Sequence, residues 1–314
     1  MFDLTTIGEA QLRLTVPKNE RLSRTAQLRL TAACSEANVS GLLSQLGRRT
    51  SWCTRVPHGD LAERCLHEFR SAGVDMSNVM RVPEGRLALY FMEPGEYPLP
   101  SRVIYDRLHT PFRELSPEMI DWESMLDTRL VFITGITAAL TDSTAATVQE
   151  LAARAADRGI DVALDVNYRS LLWDTDRARA VLTPIAQVAE IIFCSRRDAD
   201  VVFGIKAEGS RASKALRDRF GARHVVSTDQ IDGVYYSGPE GEREFTVQVV
   251  PVIDRPGAGD AFVAGTLHGF LDGDVVAGIG YGMRVAAYAL THNGDLTCVS
   301  QADLDIPTTT DIIR

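Results

Sequence analysis

From about residue 127 onwards, short apolar runs alternate with longer stretches whose apolar positions recur every three or four residues. Leu130-Val131-Phe132-Ile133 and Val162-Ala163-Leu164 are short and apolar at consecutive positions, which predicts strands buried on both faces. Ile191-Ile192-Phe193 and His224-Val225-Val226 predict two more. Between the first pair, Val148, Leu151, Ala152 and Ala155 stand at i, i+3, i+4 and i+7, the face of one helix, with Thr141-Asp142-Ser143 ahead of it as caps. Near the N-terminus, Leu4-Thr5-Thr6-Ile7-Gly8 predicts a strand, and Val39, Leu42, Leu43 and Leu46 trace a second helix face. Strands alternating with helices imply crossover connections. The expected fold is therefore α/β: a doubly wound, mostly parallel sheet with helices on both faces.

Two segments, about 10–33 and 85–112, break this alternation and are richer in Arg, Tyr, Thr and Pro. Leu28-Arg29-Leu30-Thr31 and Leu87-Ala88-Leu89-Tyr90-Phe91-Met92 predict strands within them. Both segments lead back to the same core, so they are expected to form a small β-strand lid over the sheet's ligand edge. Residues 1–314 then make a single domain carrying that insert. No internal repeat or low-complexity tract is evident.

With 314 residues, 45% of them hydrophobic and 24% charged, the chain can bury a large core. A net charge of −9 speaks against nucleic acid or an anionic membrane as the main partner, since both favour basic surfaces. No apolar run approaches the roughly 20 residues of a membrane span. Met1-Phe2-Asp3-Leu4 lacks the basic, then apolar, start of a secretory signal. The five cysteines, Cys34, Cys53, Cys65, Cys194 and Cys298, are widely spread and fit no C-x-x-C pattern. Reduced thiols and a cytoplasmic location are expected.

The chemistry concentrates at Val252-Ile253-Asp254-Arg255-Pro256-Gly257-Ala258-Gly259-Asp260-Ala261-Phe262. An alternation at Phe245, Val247 and Val249, read as a strand, leads into a turn with two glycines, then an aspartate, then an apolar helical run. Glycines bare the backbone N–H groups, and a helix that begins at once leaves its first amides unpaired. Such a place attracts anions, phosphate above all. A carboxylate there repels the ligand unless it has a chemical task, and the economical task for Asp260 is to take a proton from a hydroxyl that attacks the phosphate. Taken alone, the same residues also describe a tight turn capped by Asp260.

Further pieces accompany the turn, in order along the chain. They are Gly8-Glu9 after the first strand, Ser35-Glu36-Ala37-Asn38-Val39, Arg102-Val103-Ile104-Tyr105-Asp106-Arg107, Thr134-Gly135-Ile136-Thr137, Asp165-Val166-Asn167-Tyr168-Arg169 with Leu172-Trp173, and Gly294-Asp295. On these pieces the chain resembles the ribokinase-like (PfkB) carbohydrate kinases over nearly its whole length, and within them the 2-keto-3-deoxygluconate kinases. The resemblance implies ATP-dependent phosphorylation of a hydroxyl on a small acid sugar. Asp260 would act as general base, and the amides of Gly257, Ala258 and Gly259 would hold the charge on the transferring group. Arg13, Ala33, Cys34, Asn38, Tyr90, Tyr105, Arg107, Asn167 and Arg169 would bind the sugar. Ser195, Thr228, Gly233, Gly257 and Gly259 would bind the nucleotide. Asp198 would reach Mg²⁺ through water. The resemblance also leaves room for a monovalent cation such as K⁺, and implies a homodimer formed through the lids.

The charges of the sugar wall agree with an acid substrate. Where neutral-sugar members carry an aspartate after the first strand, this chain has Arg13. Tyr105 and Arg107 alternate to one face of a strand, which otherwise reads as an exposed strand face. Arg169, otherwise a surface arginine, follows a strand's C-terminal end, where open α/β sheets bind ligands. Four places depart from the family pattern. Ala33-Cys34 replaces two glycines, Ser195-Arg196-Arg197-Asp198 replaces Asn-x-x-Glu, Gln230-Ile231-Asp232-Gly233 lacks the first glycine of its loop, and Thr110-Pro111 replaces Ser-Ala. These changes fit a kinase with an altered substrate, or a kinase-shaped binding protein with little turnover. A dinucleotide-dependent oxidoreductase is disfavoured, because no Gly-x-Gly-x-x-Gly follows the first strand.

Overall fold

The alternation read from the sequence reappears as strands and helices. The chain opens with β1 (Phe2–Ile7), β2 (Gln11–Thr15) and β3 (Arg29–Ala33), then α1 (Ser35–Gln45), β4 (Thr50–Pro57), α2 (Asp60–Ser71) and β5 (Val79–Val82). Next come β6 (Ala88–Glu93), β7 (Arg102–Asp106), α3 (Trp122–Met125), β8 (Thr128–Thr134), α4 (Gly135–Ala138) and α5 (Asp142–Asp157). Then follow β9 (Asp161–Asp165), α6 (Thr175–Val188), β10 (Ile191–Ser195), α7 (Arg196–Phe203), α8 (Ser210–Phe220) and β11 (His224–Asp229). The hairpin of β12 (Gly233–Gly238) and β13 (Gly241–Phe245) precedes α9 (Ala258–Leu271), α10 (Val275–Leu290) and α11 (Gln301–Asp305). This computed structural model describes residues 1–95 and 98–305. Residues 96 and 97 of the expected lid, and 306–314 at the end of the expected domain, lie outside the described residues.

The large sheet runs β13-β12-β11-β10-β9-β8-β1-β4-β5, parallel except for the β12–β13 hairpin at one edge. Alternation along β8 shows why both faces are covered. Val131 and Ile133 pack with Val148, Leu151 and Ala152 of α5, whereas Leu130 and Phe132 pack with Leu42 and Leu43 of α1 and with α9. Thr141 caps α5 through a reciprocal bond with Thr144, as the capping residues anticipated. The second sheet, β3-β2-β6-β7, joins the two segments that broke the alternation into one lid. Its strands begin one residue later than expected, at Arg29 and Ala88. Leu87, expected within the lid strand, instead precedes it and packs in the core.

One expected strand is shorter than its alternation suggested. β13 stops at Phe245, which faces Val234, one residue inside the start of β12 at Gly233, and no other strand among the described residues pairs with the chain beyond it. Thr246, Val247, Gln248 and Val250 line the cleft described below. All five cysteines are free thiols; Cys34, Cys53, Cys65 and Cys194 are buried and Cys298 is exposed.

Helix α9, which starts at the glycine turn, is held backbone to backbone against α10. A Cβ on Gly265 would stand 2.6 Å from Gly282 Cα, and one on Gly269 would stand 2.4 Å from Gly278 Cα. Those contacts are with main chain, so no side-chain rotation relieves them. Gly269→Val should therefore cost about 1–3 kcal/mol by overpacking, despite a better helix propensity. Urea unfolding of the variant measures it; undiminished stability would show that the two helices can part without cost.

Candidate active site

A cleft of about 1430 Å³ opens at the C-terminal ends of the parallel strands, under the lid. Pockets for one small ligand span roughly 300–1,000 Å³, so this cleft has space for two side by side. β9 delivers Asp165 and, just beyond it, Asn167 and Arg169; β10 delivers Ser195 at the start of α7; β11 delivers Thr228. Helix α1 contributes Ser35 and Asn38, the lid contributes Tyr90, Tyr105 and Arg107, and α9 contributes Ala258, Gly259 and Asp260, preceded by Gly257. Residues from seven separate stretches thus converge because they all sit at one edge of the two sheets.

The turn before α9 has open amides. Gly257 has φ +87°, and a Cβ there would stand 2.0 Å from the carbonyl oxygen of Asp295, so only glycine fits. Gly259 faces open space, with nothing within 4 Å of where a Cβ would be. Among the described residues, the N–H groups of Gly257, Gly259 and Asp260 meet no backbone acceptor, whereas Ala258 N–H donates to Arg255 O at 3.3 Å. The three-amide cradle expected at 257–259 is shifted. Ala258 is partly engaged, and Asp260's own amide is free in its place.

Asp260 points into the cleft and forms no ion pair among the described residues. Asn38 Nδ2 donates to its Oδ2 at 2.7 Å, and Ser35 Oγ donates to its Oδ1. Enclosure by protein pushes the carboxyl up to about 6, while the Asn38 and Ser35 bonds pull it back. Ser35 also accepts from Asn167 Nδ2 at 3.2 Å, and the same amide donates to Asp165 Oδ2 at 3.1 Å. Asp165 is therefore joined to Asp260 through two intermediates. Burial, then the charge of Asp260, pushes it up to about 8, with Arg169 acting in the opposite direction. Arg169 has no ion pair among the described residues and faces this group of carboxylates across the cleft.

Several expected ligands are already engaged. Arg13 does not line the cleft. It is fully buried, donating through Nη2 to Asp254 at 2.6 Å and through Nη1 to Asp295 at 2.9 Å. Burial opposes its charge, but the two carboxylates more than compensate and raise its pKa. Its expected place on the sugar wall is thus corrected: the guanidinium is locked behind that wall. Tyr90 lines the cleft, yet its hydroxyl donates to Asp295 Oδ2 at 2.7 Å and its ring lies 6.0 Å from that of Tyr105. Arg107 lines the cleft with its Nε and Nη2 on Glu9 Oε2, at 2.8 and 2.6 Å, while Thr110 donates to the other oxygen of Glu9. Nη1 of Arg107 is its one terminal nitrogen without such a bond.

The departures from the family pattern are accommodated. Cys34 has φ 180°, ordinary extended backbone, so glycine is not required there. Its thiol donates to Glu36 Oε2 at 3.3 Å and packs where a Cβ on Gly8 would be. Ala33 and Cys34 border the cleft as expected. Gln230 adopts φ +51° where the resemblance led us to expect a glycine, at a cost of about 1–2 kcal/mol. Gly233 does not line the cleft; the neighbouring Val234, Thr228 and Gln230 do. That correction follows from β12, which pairs Gly233 with Asp229 inside the sheet. Ser195 caps α7 by accepting from Asp198 N–H at 3.0 Å. Asp198 lines the cleft and accepts from Tyr168 N–H at 3.3 Å. Among the described residues no three His, Cys, Asp or Glu side chains assemble a metal cage.

Ser35, Asp165, Asp295 and Glu9, absent from the expected site, are bonded directly to expected site residues. Each sat inside a recognised piece of sequence, and only the third dimension reveals which of its neighbours it holds.

An open α/β sheet with unpaired amides and a hydrogen-bonded carboxylate at one edge, covered by a β lid, has the layout that phosphoryl transfer to a small hydroxyl compound requires. The chain belongs to the pfkB family of carbohydrate kinases, whose sequence profile matches residues 1–302. The 2-dehydro-3-deoxygalactonokinase of Haloferax volcanii is 30% identical over 304 residues, covering 96% of this chain and 95% of its own. The 2-dehydro-3-deoxygluconokinase of Thermoproteus tenax is 28% identical over 269 residues, covering 84% of this chain and 80% of its own. The crystal structure of 2-dehydro-3-deoxygluconokinase from Thermotoga maritima has a TM-score of 0.90 at 26% identity, covering 97% of both chains.

Asp165 makes a prediction about stability. Its folded pKa of about 8 lies above its ordinary 3.8. Between those values the folded protein keeps a proton that the unfolded chain has released, so stability falls as pH rises through this window. Asp165→Asn removes that titration. Thermal melts of the variant and the parent should diverge, in favour of the variant, from about pH 4 to pH 8 and run parallel above. A difference that does not change with pH would place Asp165 in solvent.

Proposed function

We propose that this sugar kinase transfers the γ-phosphoryl group of ATP to a hydroxyl of a small keto-deoxy sugar acid, with 2-keto-3-deoxygluconate as the leading acceptor. The observation that carries the reading is Asp260: a carboxylate turned into the cleft, held by two neutral donors and neighboured by free amides. Relatives named for 2-dehydro-3-deoxy sugar acids that align over most of the chain support the substrate class.

In this reading the sugar lies beneath the lid, between Tyr90, Tyr105 and Arg107 on one side and Asn38, Asn167 and Arg169 on the other. Its carboxylate takes the open Nη1 of Arg107, and its acceptor hydroxyl meets Asp260. Asp260 removes the proton as the hydroxyl oxygen attacks the phosphorus and the bond to ADP breaks. The amides of Gly257, Gly259 and Asp260 receive the charge that accumulates on the phosphoryl oxygens. The nucleotide lies along Ser195, Thr228, Gln230 and the 246–250 stretch. Mg²⁺, when bound with the nucleotide, would be reached by Asp198 through water and would offset phosphate charge. K⁺ is retained only as a candidate activator. One kinase unit with an inserted lid, working in the cytoplasm where ATP is supplied, completes the proposal. Two chains would pair through their lids, covering Val103 and Ile104, which stand exposed on the edge strand β7.

The experiment is ATP consumption with 2-keto-3-deoxygluconate, 2-keto-3-deoxygalactonate, fructose, ribose and adenosine side by side. The keto acids should win. Asp260→Asn should lower turnover by at least ~10²-fold, and kcat/KM of the parent should climb as pH rises through about 6, where Asp260 ionises. A fully active Asp260→Asn enzyme would remove Asp260 from the mechanism. Arg107→Lys keeps the charge opposite Glu9 but loses the planar fork, so KM for acid sugars should rise about tenfold while neutral sugars are little affected. Equal losses on both would cancel its role as carboxylate partner.

A further inference from the structure

Arg13 stands in β2, the strand flanked by β3 and β6 in the lid, with Tyr90 of β6 directly beside it in register. Both side chains reach out of the lid to the same residue: Arg13 Nη1 to Asp295 Oδ1 at 2.9 Å, and Tyr90 OH to Asp295 Oδ2 at 2.7 Å. The other guanidinium nitrogen, Nη2, takes Asp254 Oδ1 at 2.6 Å, and Asp254 Oδ2 accepts from Gly294 N–H at 3.1 Å. The result is a closed ring from Arg13 through Asp254, Gly294 and Asp295 back to Arg13. Asp254 lies three residues before Gly257, and the Asp295 carbonyl occupies the space that a Cβ on Gly257 would need. The ring therefore bears on both flanks of the turn whose amides face the cleft, while among the described residues its hydrogen-bonded anchors in the lid are Arg13 and Tyr90.

We propose that Arg13 is a positioning residue that couples the lid to the phosphate-binding turn, so that sugar beneath the lid and nucleotide at the turn strengthen each other's binding. The inference rests on the reading of that turn as the phosphate site. A guanidinium suits the task because its rigid fork spans two carboxylates at once, which a lysine ammonium on one stem cannot reproduce. Two buried carboxylates balanced by one cation hold together only while the fork is in place. Displacing the lid strand draws on Asp254 and Asp295 together, and hence on the seat of Gly257. The sugar touches Tyr90 and Tyr105 on the lid, so a bound sugar holds the strand that holds the turn.

The test is a binding cycle on the full chain. The affinity of a non-hydrolysable ATP analogue is measured by calorimetry with and without saturating 2-keto-3-deoxygluconate, for the parent, Arg13→Lys and Asp254→Asn. In the parent the sugar should tighten analogue binding by about fivefold or more, a typical coupling between linked sites. In both variants this ratio should fall towards one, while the affinity for each ligand alone changes less than about threefold. A role confined to fold stability would lower the melting temperature and leave the ratio intact. An unchanged ratio in a folded variant, or a parent ratio of one, overturns the coupling. If Arg13→Lys does not fold, Asp254→Asn, which keeps the shape of the carboxyl, decides alone. Turnover of the sugar by the parent is scored separately: its absence refutes the substrate reading, whereas normal turnover with an unaltered ratio in the variants refutes only the coupling.

Discussion

In the proposed reaction two negative groups share one cleft, and the contacts around Asp260 suit that demand. A phosphoryl group and the Asp260 carboxylate repel each other, and the repulsion grows where protein displaces water. The fold meets it with neutral donors. Ser35 and Asn38 hold the carboxylate, bare amides wait at the start of α9, and Arg169, which forms no ion pair among the described residues, faces the acids from across the space. A cation bonded directly to Asp260 would keep it ionised at lower pH, but would also make it a poorer base. Holding it with an amide and a hydroxyl leaves its proton affinity near the working range.

This arrangement needs a rigid floor. The glycines of α9 and α10 bring two helix backbones into direct contact, so the helix that carries Asp260 has little room to slide. The lid, by contrast, touches the same region through side chains: Arg13 and Tyr90 on Asp295, and Arg107 on Glu9. The charges of the lid are therefore spent largely on protein carboxylates. Nη1 of Arg107, at the cleft, has no carboxylate partner among the described residues.

Most of the frame was legible in the residues. The alternation of apolar runs and helical faces located the strands of the large sheet, because strands buried on both sides leave a signal that needs no partner to interpret. The glycine turn and Asp260 were legible for a similar reason: Gly257 is required by its own backbone angle, a local property. Charge partners were not. Arg13 reads as a sugar ligand until Asp254 and Asp295, more than 240 residues further along, are found on either side of it. Asp165 reads as part of a strand end until Asn167 and Ser35 are seen joining it to Asp260. The alternation at Val247 and Val249 misled because a two-residue period describes any extended chain, and only a neighbouring strand makes it a ladder. Periodicity reports which face is dry; it is silent on which polar groups meet.

The cysteines carry a practical consequence. Burial drives the Cys53 and Cys65 thiols up to about 12, and those of Cys34 and Cys194 well above their ordinary range, so none of the four offers an accessible thiolate. Cys298 is exposed and lies on the rim of the cleft. A maleimide dye added to the native protein would label that single position without any prior engineering. The native chain thus comes with its own attachment point for a fluorescent reporter, a few residues past Asp295 and on the lining of the cleft.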